Sequence, residues 1–136
     1  MADHAVQLRW EGEGQRFRGG RSGGPEITVD GAGEAGPSPM QQLLLAVAGC
    51  MAADIVDIMA KSRAPLSGLE VLVEGWRAPQ PPRRFTSIHL AFTAFGVAEP
   101  DGARLERALE LSRQTYCSVV HSLRPDLELV FRLERR

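Results

Sequence analysis

The chain carries no excess of either charge: 16 basic residues stand against 17 acidic ones over 136 positions, a formal charge of −1. Nothing in that balance favours nucleic acid or an anionic lipid surface as a partner. The N-terminus, MADHAVQLRW, lacks the charged-then-apolar layout of a signal peptide, so a cytoplasmic location is expected. Metal signatures are missing as well. His4, His89 and His121 are scattered, and neither HExxH nor CxxC occurs. The one metal-like spacing sets Cys117 four residues before His121, and it would need Cys50 as a third ligand. The expectation is therefore no metal and no cofactor. GGRSGGP lacks the Lys-Ser/Thr ending of a phosphate-binding P-loop and opens no helix, so it reads as a hairpin turn. Internal repeats and long low-complexity tracts are absent. One domain over 1–136 is expected, with strands and glycine-rich turns over 1–36 and a helix-strand-strand-helix-strand core over 37–136.

Period-2 alternation marks the strands. Val6, Leu8 and Trp10 share one face of the first; QRFRG returns after the EGEG turn; EITVD follows with Ile27 and Val29 on one face. Further on, LEVLVEGWRA and FTSIHLAFTAFG read as two long strands joined across PQPPRR. Leu69, Val71 and Val73 form one face of the first, Ile88, Leu90 and Phe92 form the matching face of the second, and Leu127, Leu129 and Phe131 alternate in a last strand.

Between these groups lies a long helix. Ser38 is a good N-cap, Pro39 suits the first helical position and Gln41 completes a capping box. The helix is expected to run to about Arg63, stopped by Pro65 and favoured there by Lys61 and Arg63. Its first half is apolar on nearly every face, more than a chain of this size can wrap, which points to a homodimer. Gln41, Gln42, Asp54 and Asp57 argue against a membrane span, since each aspartate would cost about 2.5–3.5 kcal/mol at a bilayer centre. A second helix is expected over about Gly102 to Tyr116, with Asp101 as cap and Leu105, Leu109, Ser112 and Tyr116 on one stripe; SVVHSL adds a short helical piece. The element order β-β-β-α-β-β-α-β makes an α+β fold with a mostly antiparallel sheet.

Few residues are left for chemistry. Asp54 and Asp57 are helix neighbours that read either as a carboxylate pair or as side chains meeting partner cations and solvent. Cys50 and Cys117 read either as small core residues or as reactive thiols. For the second reading, Gly49 leaves space beside Cys50, and Cys117 stands where a new short helix starts, whose backbone N–H groups lower a thiol pKa.

PSPMQQLLLAVAGCMAADIVDIMAKSR resembles the central-helix signature of the OsmC/Ohr family, the osmotically inducible and organic hydroperoxide resistance proteins. RRFTSIHLAF and LERALELSRQTYCSVV are similar to that family's later strand and second-cysteine segment, so the resemblance covers roughly residues 37 to 123. It implies an intertwined homodimer, with two central helices wrapped by mostly antiparallel sheet and an apolar pocket at the dimer interface. It also implies reduction of organic hydroperoxides in oxidative-stress defence, with an external dithiol as reductant. Cys50 resembles the peroxidatic cysteine and Cys117 the resolving one.

One departure stands out. The family's peroxidases place a glutamate ten residues before the first cysteine, where it orients an arginine; that position is Met40 here, with Gln41 beside it. Arg16, Arg18 and Arg21 lie in the matching loop region, as thiolate partners or as solvated strand and turn arginines, with Arg18, Arg21 and Gln41 the candidate supporting residues. The departure resembles an OsmC-like branch and leaves open a second function, redox sensing or the binding of an apolar ligand.

Overall fold

The computed structural model describes all 136 residues and divides them into two compact units, Met1–Leu43 and Leu44–Arg136. In the first, β1 (Gln7–Trp10), β2 (Arg16–Gly20) and β3 (Ile27–Asp30) form an antiparallel meander. The EGEG turn is possible because Gly12 and Gly14 take φ of 87° and 53°, where a side chain would be strained. Trp10 closes it from the side by donating its indole N–H to the Gly14 carbonyl at 3.0 Å. The expected apolar face exists, but it is not half-buried: Leu8 and Trp10 remain 59% and 57% exposed. Three short strands supply one apolar face and no element of their own to cover it.

The buried Asp30 ends β3 and gathers the following linker. Its carboxylate accepts the N–H groups of Ala35 and Ala32, each at 2.9 Å, and these bonds hold its pKa below the usual carboxylate range. Helix α1 (Pro39–Lys61) then starts on the expected capping box: Gln41 N–H donates to Ser38 Oγ at 3.2 Å, and Ser38 N–H to Gln41 Oε1 at 2.9 Å. It stops two residues before Arg63 for a backbone reason. Arg63 sits at φ 61°, and the Ala64 and Arg63 N–H groups reach back to the Met59 and Ala60 carbonyls, a Schellman stop ahead of Pro65.

In the second unit, β4 (Gly68–Arg77) pairs antiparallel with β5 (Phe85–Phe95), with Val73 opposite Leu90 and Val71 opposite Phe92 on the expected apolar faces. Strand β6 (Glu128–Arg135) joins β5 in parallel, Leu129 beside Ile88 and Phe131 beside Leu90. A parallel neighbour needs a long crossover, which the intervening helical segment provides. Ile88, Leu90, Phe92 and Ala94 are buried from β5, as are Val47, Met51, Ile55 and Met59 from α1, and these residues form the core. The α+β class and the mostly antiparallel pairing are as expected.

The second helix differs from the expectation. Helix α2 (Gly102–Leu111) ends early, and Ser112–Tyr116 continue as a π-helical turn before α3 (Ser118–His121). The buried stripe is Leu105, Ala108 and Ser112, with Leu109 only partly buried; the wider turn then shifts the helical phase, and Tyr116 is 56% exposed. Asp101 makes no side-chain cap. Its backbone already belongs to a 3₁₀ turn (Glu99–Asp101), and its carboxylate pairs with Arg104 at 3.3 Å.

Candidate functional site: a thiol pair

Cys50 lies midway along α1 and is half-buried; Cys117 joins the π-turn to α3 and is fully buried. Both are free thiols. Although 67 positions separate them in sequence, Cys50 lies near enough to Cys117 to raise the pKa of its thiol.

The backbone around Cys117 is fully engaged. Its N–H donates to the Ser112 carbonyl at 2.8 Å, five residues back, and its carbonyl accepts the His121 N–H at 3.1 Å. Its sulfur accepts the Val120 N–H at 3.4 Å, so the thiol caps α3. That bond favours a thiolate, as the sequence suggested, yet the net effect is opposite. Burial, the largest cause, pushes the thiol from its ordinary 9.0 up to about 11, with Cys50 adding to the rise. One turn of helix offers too few N–H groups to offset removal from water.

The His121 ring turns to the backbone. Its Nε2–H donates to the Arg113 carbonyl of the π-turn at 3.1 Å, and no group of three metal-binding side chains forms. The two aspartates of α1 also separate. Asp57 pairs with Lys61 one turn on, at 2.8 Å, whereas Asp54 accepts the buried Ser112 hydroxyl at 2.8 Å. Sequence reasoning missed the second of these, since partners 58 positions apart leave no local signal. Both aspartates line an open cleft of about 430 Å³ with Lys61, Leu111 and Tyr116. Gly49 is exposed, and a Cβ there would meet nothing within 4 Å, so the space beside Cys50 is open surface rather than a packed notch.

The candidate supporting residues belong to the first unit, where each has local partners. Arg18 donates to Thr28 Oγ1 at 3.4 Å and pairs with Glu26 at 3.6 Å; Arg16 pairs with Asp30 at 3.9 Å. The stem of Arg21 lies over Gly24 in the hairpin turn, and the Gln41 amide oxygen is held in the capping box.

Comparison with known proteins places the chain in a family. Residues 31–131 match the family described as OsmC-like protein. The chain is 39% identical over 115 residues to Protein YhfA of Escherichia coli K12, covering 84% of each. A hypothetical protein from Aquifex aeolicus VF5 superimposes with a TM-score of 0.86 at 29% identity, over 100% of this chain and 98% of that one. An organic hydroperoxide resistance protein from Elizabethkingia anophelis shares the fold alone, with a TM-score of 0.68 at 13% identity over 100% and 98% of the two chains. The capped long helix and the α+β frame thus have one common explanation: this chain belongs to the OsmC-like protein family.

Proposed function

We propose that the protein is a homodimeric, dithiol-dependent reductase of organic hydroperoxides, with Cys50 as the attacking thiol and Cys117 as the resolving one. The observation that carries this reading is the juxtaposition of a half-buried Cys50 with a fully buried Cys117. The Cys50 sulfur attacks the peroxide O–O bond; one oxygen stays on sulfur as a sulfenic acid, and the other leaves as the alcohol. Cys117 then attacks that sulfur, the S–O bond breaks, and water leaves with the Cys117 proton. An external dithiol reduces the resulting disulfide by exchange and is itself oxidised. A reducing cytoplasm suits this cycle. A protein of the same fold is described as an organic hydroperoxide resistance protein, which is compatible with this reading.

The dimer is supported by α1 itself. Leu45, Gly49, Ala53, Val56 and Ala60 recur every three or four residues and are exposed. Small residues on such a stripe let a second helix approach closely, and a second copy of this chain is the occupant proposed. By length and composition α1 could also span a bilayer, but Asp54 and Asp57 within it favour protein cover. Sedimentation at micromolar concentration is expected to show a dimer; a stable folded monomer would contradict it.

Steady reduction of cumene hydroperoxide with dithiothreitol as electron donor tests the activity, and absence of turnover would overturn it. A second reading, redox sensing or apolar-ligand binding, is favoured by Met40, which stands where the family's peroxidases carry their glutamate. Rapid oxidation of the pair without sustained turnover would support that reading instead.

A further inference from the structure

A single side-chain bond ties the turn that carries Cys117 to the helix that carries Cys50. Ser112, fully buried, donates its hydroxyl to Asp54 Oδ2 at 2.8 Å, and its carbonyl accepts the Cys117 N–H at 2.8 Å. Asp54 follows Cys50 by four residues, so the two share a face of α1 about 6 Å apart along the axis. A chain of bonds thus runs from Cys117 through Ser112 to Asp54, one helical turn from Cys50 on α1. The π-turn is an uncommon backbone form that needs support from outside itself. A hydroxyl donating to a carboxylate is a strong, directional support.

We propose that Asp54 and Ser112 are positioning residues for disulfide closure: they fix the π-turn against α1 so that the Cys117 sulfur stays within bonding reach of Cys50. The inference rests on the cysteine chemistry proposed above. Closure forms the S–S bond, breaks the Cys50 S–O bond and releases water. It tolerates little displacement, since the Cβ atoms of a disulfide lie roughly 3.5–4.5 Å apart. A loosened turn would therefore slow this step more than the first, which needs Cys50 alone.

Rapid mixing of the reduced full-length protein with one equivalent of cumene hydroperoxide separates the steps. Peroxide loss reads the first, and disulfide formation (with dimedone trapping of any sulfenic acid) reads the second. In Ser112→Ala, closure is expected to slow about tenfold, the scale of one charged hydrogen bond, with a change of less than about threefold in the first step. Ser112→Thr, which keeps the hydroxyl, should restore most of the closure rate. Asp54→Asn, which keeps an acceptor oxygen without the charge, should fall between, and it decides the matter if Ser112→Ala does not fold. Closure at the wild-type rate in Ser112→Ala and Asp54→Asn, or an equal fall in both steps, would overturn the proposal. If the wild-type protein consumes no peroxide, the peroxidase reading fails on its own. Diamide, which oxidises the thiol pair directly to a disulfide, then reads the same closure in the same variants with the same expected order.

Discussion

Cys50→Ser is expected to remove hydroperoxide turnover, a loss of at least about a thousandfold, while leaving the fold intact. The size of the effect follows from the chemistry: a hydroxyl is a far weaker nucleophile than a thiol and forms no sulfenic acid, so no later step can compensate. The substitution is nearly isosteric, and Cys50 is only half-buried, so circular dichroism and thermal unfolding should stay close to wild type. Cys117→Ser is the informative companion. It should complete the first turnover, consume one equivalent of peroxide, and then stall with Cys50 as sulfenic acid or a more oxidised form. If Cys50→Ser retained turnover, Cys50 would not be the attacking group.

The second large effect concerns Cys117 alone. Its thiol is fully buried, and burial, helped by Cys50, pushes its pKa from 9.0 to about 11. A raised pKa favours the neutral thiol, so its thiolate fraction near neutral pH is about a hundredfold below that of an unshifted cysteine. Iodoacetamide, which reacts with thiolate, should label Cys50 first and Cys117 at least about a hundredfold more slowly than a free cysteine. From pH 7 to 10 the Cys117 rate should climb about tenfold per pH unit, with no plateau below about 11. Mass-spectrometric peptide mapping over time checks both the order and the slope. A plateau near pH 8 would show that the backbone N–H groups of α3 outweigh burial after all.

That last balance shows where sequence reading stops. The placement of Cys117 at a helix start was legible in TYCSVV, and so was the direction of the N–H effect. The depth of burial was not, because a side chain's cover is set by tertiary packing and leaves no local pattern in the sequence. The capping box at Ser38 and Gln41 and the apolar faces of β4 and β5 were legible because each depends on local spacing or on strand periodicity. The π-turn escaped notice, since one residue of extra turn leaves Leu105, Leu109, Ser112 and Tyr116 as plausible a stripe as the real one. Asp101 looked like a cap by residue type, but Arg104 competes for its carboxylate. Strand β6 was found, but its parallel pairing with β5 is decided by the crossover rather than by its own residues. The partner of Asp54 was the least accessible of all: a buried serine on another helix carries no pattern that points to it.

The central claim is that Cys50 and Cys117 work as one redox pair. Oxidising the reduced protein with one equivalent of an alkyl hydroperoxide, followed by non-reducing peptide mapping, tests it directly. The account predicts loss of both thiols and a single Cys50–Cys117 disulfide. Cys50 driven to sulfinic acid while Cys117 remains a free thiol would contradict it.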